Sequence, residues 1–133
     1  MNQFVKDIKD AFDEKGLELE EFSDWVIGVA FSGDKGEPLR FRFVDHEDNS
    51  CSLLIFKEID INEYDRTDLL ETVNKLNMTT CIMGATVMLW EEEEEEPDIR
   101  AVISETFAYG ATKRILDAYD NLVYVALEID RIF

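Results

Sequence analysis

The sequence predicts an α+β domain in which helices pack on an antiparallel sheet of about five strands, in the order α-β-β-β-α-β-β-α. Two patterns alternate along the chain. Apolar residues recur at helical spacing near both ends and in the middle, and runs of β-forming residues lie between polar turns. Hydrophobic residues make up 46% of the 133, including nine Phe, enough for a core without disulfides or a metal. With no linker or repeat, we expect one domain over residues 1–133.

The chain opens with a predicted amphipathic helix over residues 2–15. Its apolar residues lie on one face because they recur three and four positions apart. They are Phe4, Val5, Ile8, Ala11 and Phe12. Gly16 is the predicted stop of this helix.

Three predicted strands follow in series, at residues 24–31, 39–44 and 51–59. Polar turns at 32–38 and 45–50 connect them, which indicates an antiparallel meander.

The middle strand, "LRFRFV", alternates strictly between the two faces of the sheet. Leu39, Phe41 and Phe43 lie on one face. Arg40 and Arg42 lie on the other.

Helical spacing returns at residues 65–79, where one face carries Leu69, Leu70, Val73, Leu76 and Asn77. Thr67 is the predicted N-cap, followed by acidic residues in the first turn, where the helix dipole favours them. We expect Asn77 to end the helix, since Asn tolerates the left-handed conformation.

Two further strands are predicted at residues 81–90 and 99–107, and a long closing helix at 111–133. One apolar stripe of this helix is formed by Ile115, Tyr119, Leu122, Ala126, Ile129 and Phe133, and it is widened by Leu116, Val123 and Leu127. The stripe is wide for packing on one sheet face, so both a purely internal role and a homodimer interface are open interpretations.

The stretch "MLWEEEEEEPDIR" places six consecutive glutamates, Glu91, Glu92, Glu93, Glu94, Glu95 and Glu96, between the last two predicted strands. We expect a solvated hairpin connection whose first one or two glutamates continue the strand. Alternate residues of an extended chain face opposite ways, so the six carboxylates cannot converge on one metal ion. A docking surface for a basic partner needs only the charge and stays an alternative.

The negative net charge of the chain limits which classes of partner it is expected to bind. There are 31 acidic and 13 basic residues, for a net charge of −18, and without the glutamate run it would still be −12. Such a field repels nucleic acids and anionic membranes, so we expect neither as a partner. No signal peptide or membrane-spanning stretch is evident, which predicts a cytoplasmic location. Cys51 and Cys81 are expected to be small core residues and not a disulfide.

The element order and the block "LLETVNKLNMTTCIMGATVMLW" resemble the YbjN-like bacterial domain family, whose fold is shared with type III secretion chaperones. The resemblance covers nearly the whole chain and rests on patterns of apolar residues and Asn. It implies a non-enzymatic domain, often dimeric, and the related chaperones bind extended segments of client proteins. One departure is the hairpin tip, where family members usually carry a short acidic or glycine turn and this chain has "EEEEEEPD".

Residues suited to catalysis are sparse. His46, the only histidine, lies in the turn "DHEDNS", and no nucleophile motif accompanies it, so an exposed loop histidine is the favoured interpretation over a general base. This turn also lacks the ligand pattern of a calcium loop, and no phosphate-binding glycine motif is present. We expect no catalytic residues, cofactor or metal.

Trp25 and Trp90 are the candidate partner-binding residues, together with Glu91, Glu92, Glu93, Glu94, Glu95 and Glu96. The competing interpretation of each Trp is a core or sheet-face aromatic, given its strand context.

The predicted function is a non-enzymatic, protein-binding domain of chaperone-like or regulatory type that captures a protein segment in an apolar groove or at a strand edge. An acidic, immunity-type inhibitor of a basic toxin or nuclease is the alternative. A third hypothesis, an enzyme with a carboxylate acid and base, requires two acidic residues with raised pKa in one cleft.

Overall fold

The computed structural model of the chain describes residues 2–33, 36–48, 50–105 and 111–133. In these ranges one antiparallel sheet of six strands and three α-helices confirm the predicted α+β class. The strands are β1 (Glu20–Glu21), β2 (Val26–Phe31), β3 (Leu39–Asp45), β4 (Cys51–Glu58), β5 (Thr86–Trp90) and β6 (Asp98–Glu105). The helices are α1 (Gln3–Glu14), α2 (Arg66–Thr80) and α3 (Thr112–Ile132).

The sheet has the strand order β1-β2-β3-β4-β6-β5. The meander predicted for the first three long strands is present as β2-β3-β4, and the hairpin β5-β6 joins it through β6. The count differs from the expected five because the two-residue strand β1 pairs with β2 at one edge. So short a strand has no hydrophobic period from which it could be predicted.

All three helices pack against one face of the sheet. Helix α3 crosses β4 and β6, α1 packs on β2 and α3, and α2 packs on β5. The register places Phe41, Ile55 and Ala101 side by side on this face, and each is buried. Phe12 of α1 and Tyr119 of α3 contact Phe41 from above, with ring centroids 5.7 and 4.9 Å from it.

The core also contains a buried ion pair. Lys57 on β4 faces the helices, and its Nζ donates to Asp130 Oδ1 of α3 at 2.9 Å. Both side chains are almost fully buried. The pair therefore ties the sheet to the closing helix.

Helix α2 differs from the prediction at both of its ends. Its N-cap is Asp65, whose side chain accepts a hydrogen bond from the Asp68 N–H, and Thr67 lies within the first turn. Asn77 lies inside the helix, which runs to Thr80. Asn77 does not end the helix because its side-chain oxygen is used instead by the neighbouring strand, where it accepts from the Val87 N–H at 3.0 Å.

The strand predicted for residues 81–90 begins later than expected. Residues Cys81–Met83 form a 3-10 turn, and Gly84 then adopts the left-handed conformation with φ of 79°, which lets the chain reverse into β5. Cys81 is exposed, so its prediction as a core residue is wrong, whereas Cys51 is buried as expected.

The remaining boundaries differ by a few residues. Strand β2 begins at Val26 and not at residue 24, because the preceding residues form a bend. The predicted strand 99–107 is β6, and its last two predicted residues lie outside the described ranges. None of the helices in the described part of the chain has the length and apolar content that a membrane crossing requires.

Candidate functional site

The face of the sheet opposite the helices, here called the open face, carries an unusual set of side chains. The described helices all lie on the other face. The central residues of the open face are Arg40 and Arg42 of β3, Leu54 and Phe56 of β4, and Arg100 and Val102 of β6. Each of these side chains is half-buried. In a chain of net charge −18, this face gathers three of the 13 basic residues.

Strand register sets these residues side by side. Arg40 pairs with Phe56, and Phe56 pairs with Arg100. One row across three strands therefore reads arginine, phenylalanine, arginine.

The arginines stack on aromatic rings in a continuous arginine–aromatic row: Phe22, Arg42, Phe56, Arg100 and Trp90. The Arg42 Cζ lies 4.0 Å from the Phe22 ring centroid and 5.6 Å from that of Phe56. The Arg100 Cζ lies 5.3 Å from the Phe56 centroid and 4.4 Å from that of Trp90. Such contacts contribute about 0.5–1 kcal/mol each at exposed sites and hold the planar guanidinium groups in a fixed orientation.

Gly28 makes room for one end of the row. It lies opposite Arg42 in the register of β2 and β3. A Cβ at this position would lie 2.1 Å from the Phe41 carbonyl oxygen and 2.9 Å from the Arg42 side chain. The missing side chain thus lets Arg42 lie across β2, with its guanidinium over the ring of Phe22.

Electrostatics at the two ends of the row differ. At Arg42, partial burial lowers the pKa, the neighbouring charge of Arg40 lowers it further, and Glu20 opposes both. Arg100 is instead neutralised by Asp98, which accepts two hydrogen bonds from its guanidinium at 2.8 and 2.7 Å. Among the described residues, Arg40 and Arg42 thus form a pair of like charges without the bidentate carboxylate partner that Arg100 has.

A shallow depression of about 360 Å³ lies over this part of the open face. Arg40, Arg42, Phe56 and Arg100 contribute to its lining. Acidic residues complete the lining: Glu58, Glu95, Glu96 and Asp98. A basic and aromatic centre is thus bordered by carboxylates on one side.

The two predicted tryptophans are exposed but lie far apart. Trp90 is 36% exposed and ends the arginine–aromatic row. Trp25 is 40% exposed and precedes β2, four strand spacings away across the sheet, which is on the order of 19 Å. The structure therefore brings only Trp90 to the open face's arginine–aromatic row.

The glutamate run forms the expected connection of the β5-β6 hairpin, and all six side chains are exposed. Strand β5 ends at Trp90, so the expectation that the first glutamates continue the strand is wrong. The Glu91 side chain pairs with Arg66 of α2, whose guanidinium donates to both of its carboxylate oxygens at 2.7 and 3.2 Å. This hydrogen bonding and charge lower the pKa of Glu91.

At the tip of the hairpin, like charges repel. The charge of Glu92 raises the pKa of Glu95, and a hydrogen bond between the two side chains adds to the shift. Among the described residues, no group of three or more potential ligands is arranged to hold a metal ion.

His46 is exposed in its turn, as predicted, but its ring is held in place. Its Nε2 lies 2.7 Å from the Ser52 hydroxyl, which lies 2.7 Å from that of Ser104. The three side chains link the β3-β4 turn to β4 and β6. This arrangement ties the turn to the two strands.

Three residues of the row were not indicated by the sequence as functional candidates: Phe22, Phe56 and Arg100. The signal for part of the site was present, because alternation in β3 places Arg40 and Arg42 on the face opposite its phenylalanines. Nothing in the sequence showed that the neighbouring strands would place aromatic rings beside them.

The chain is similar in fold to a protein of known structure. No family model matches the chain, and no curated protein matches it. Among solved structures it is similar to YbjN from E. coli, a candidate transcription regulator, with a TM-score of 0.67 and 13% sequence identity. The match covers 93% of this chain and 89% of that one. The chain has a YbjN-like fold. At this identity, the YbjN-like fold is all that the comparison establishes.

Proposed function

We propose that the chain is a non-enzymatic, protein-binding domain of regulatory or chaperone-like type, acting in the cytoplasm. It holds a segment of a partner protein on the open face of the sheet. The observation that supports this most is the arginine–aromatic row, in which stacked side chains are presented to solvent in fixed positions. Arginine and aromatic residues are the types that dominate binding energy at protein interfaces.

Two features support binding over catalysis. The raised pKa of Glu95 comes first from the charge of Glu92 on an exposed hairpin, whereas a catalytic carboxylate pair is shifted by burial together with its charge partner. His46 is hydrogen-bonded to a serine that is also shared with Ser104, and it lies in a surface turn. The regulatory or secretion-chaperone role itself rests on analogy of fold.

Site-specific photo-crosslinking tests the location of the binding surface. A crosslinking residue at Val102, on the open face, is expected to give a discrete protein adduct in native lysate, and one at Asp117, exposed on α3, is not. After the crosslinked protein is purified, F56A and W90A should each weaken its binding at least about tenfold, as expected of an interface anchor. Equal adducts from both positions, or none from either, would contradict the proposal.

The acidic inhibitor remains a second candidate because the tip is exposed. Five consecutive glutamates present exposed side chains to solvent at this tip: Glu92, Glu93, Glu94, Glu95 and Glu96. Inhibition of basic nucleases should then be lost when these residues are replaced by glycine and serine. Unchanged inhibition by that variant would count against the tip as the inhibitory element.

Homodimerisation through α3 also stays a prediction. Leu127, which widens the apolar stripe, is 61% exposed, and Tyr124 beside it is 57% exposed. Light scattering after size-exclusion chromatography measures the molar mass in solution and tests this prediction. If the dimer uses this surface, L127K should convert it into a monomer.

A further inference from the structure

The basic centre of the open face indicates what kind of segment it holds. We propose that the partner segment is acidic and extended, and that two of its carboxylates, two residues apart, pair with Arg40 and Arg42. This inference rests on the proposed function and adds the chemistry of the partner.

Spacing supports two carboxylates at positions i and i+2. Arg40 and Arg42 alternate with Phe41 on β3, so they are about 6.6 Å apart along the strand and face the same way. An extended segment lying along β3 has the same repeat, and every second side chain points toward the sheet. The Arg42 Nη1 already donates to the Phe41 carbonyl oxygen at 2.8 Å. The remaining N–H groups of Arg42 and the guanidinium fork of Arg40 can donate to a carboxylate.

Charge supports the same partner. Partial burial lowers the pKa of Arg42 most, and repulsion from Arg40 lowers it further. A carboxylate placed between or beside the two arginines would relieve this repulsion. Arg100 is already satisfied by Asp98, so its side chain contributes a neutralised, planar surface beside Phe56. Apolar residues of the segment can pack on Leu54 and Phe56, which are half-buried next to the arginines.

The carboxylates around the arginines limit how long the acidic stretch of the partner segment can be. Glu58, Glu95, Glu96 and Asp98 line the same depression as the arginines. A long polyanion such as a nucleic acid would continue from the arginines into these carboxylates and be repelled, as it would be by the net charge of −18. A short acidic segment that ends at the arginines does not extend over these four carboxylates.

Selection from a displayed library of random peptides of about twelve residues, roughly 40 Å when extended, tests the proposal. The full-length wild-type chain should enrich peptides with two acidic residues separated by one position and an adjacent apolar residue. The variant R40E/R42E should enrich peptides with basic residues at that spacing. The matched control K6A/K75A, which removes two exposed charges from the helical side, should enrich the same acidic peptides as the wild type.

A selected acidic peptide then gives a quantitative test. R40A/R42A should weaken its binding by about a hundredfold or more, since losing each charge-assisted pair weakens binding by roughly tenfold or more. R40K/R42K should recover only part of the affinity because lysine lacks the fork. Circular dichroism and thermal unfolding of each variant establish that it is folded.

The outcomes separate the two proposals. Enrichment of neutral or basic peptides by the wild type, with binding retained in R40A/R42A, would leave protein binding intact and overturn the acidic segment. Failure of the wild type to enrich any peptide would overturn both. Tighter binding of fluorescein-labelled oligo(dT) or oligo(U) than of every selected peptide would overturn both in favour of a nucleic acid.

Discussion

Lys57 and Asp130 show how one pair of residues can hold two layers of the fold together. The Lys57 Nζ and the Asp130 Oδ1 are 2.9 Å apart in a region where both side chains are almost fully buried. Removing a charge from water is costly, and the pair offsets part of this cost for each ion. Lys15 and Asp120 form an exposed pair of the same type at 3.4 Å, and because water solvates both ions, this pair contributes little to stability.

We expect Lys57→Met to lower the free energy of unfolding by about 3–5 kcal/mol, because it leaves a carboxylate buried without this cation. The matched control Lys15→Met should change it by less than about 1 kcal/mol. The double variant K57M/D130L should recover most of the loss, since neither ion of this pair is then buried. Denaturant unfolding measures all three, and equal effects of the two single variants would contradict the assignment.

The pKa values of two glutamates of the hairpin are expected to be shifted in opposite directions. Arg66 lowers the pKa of Glu91, whose contribution to stability is present above its unfolded pKa and is lost as the pH falls through the folded value. Repulsion from Glu92 raises the pKa of Glu95, whose contribution is present below the unfolded pKa and is lost as the pH rises through the folded value. Both groups are fully exposed, so the effect on stability is small.

Carbon-detected NMR of the carboxyl groups tests these shifts. Arg66→Ala should bring the pKa of Glu91 back up and leave that of Glu95 in place. Glu92→Gln should bring the pKa of Glu95 down. A hairpin tip in which both groups titrate together would show that neither contact persists in solution.

At the scale of elements, the edge strand β5 depends on a side chain from α2. The Val87 N–H faces away from β6 and donates to the Asn77 side-chain oxygen. An edge strand otherwise exposes such donors, which invites pairing with another chain. Asn77 thus closes one position of the edge and fixes α2 against it.

Asn77→Ala should therefore lower the free energy of unfolding by about 1–3 kcal/mol, although Ala is the better helix former, because the Val87 N–H loses its acceptor. Hydrogen exchange at Val87 should accelerate at the same time. Asn74→Ala, at an exposed position of the same helix, is the control and should be neutral or slightly stabilising. Unchanged exchange at Val87 in the Asn77 variant would argue against this hydrogen bond.

At the scale of the whole molecule, the net charge of −18 opposes compaction. Raising the salt concentration from about 10 mM to about 150 mM shortens the screening length from about 30 to about 8 Å. We expect this to add about 1 kcal/mol to stability, or about 3–5 °C to the unfolding midpoint of a domain of this size. Sodium chloride and potassium acetate should act alike at equal ionic strength, and a difference between them would indicate specific ion binding instead.

The sequence alone determined the helices, the long strands and the position of the glutamate run between β5 and β6. These features follow from hydrophobic period and from turn residues, which act over a few neighbouring positions. It also separated Arg40 and Arg42 from Phe41 and Phe43, because alternation in a strand is a local property.

Only the tertiary structure decided what lies beside these residues. Asn77 serves β5 and does not end its helix, and Cys81 is exposed, because the chain turns at Gly84 before the strand begins. The arginine–aromatic row joins side chains from four strands and the β1-β2 connection. Strand order and register bring these residues together, and both depend on long-range pairing that no local pattern encodes.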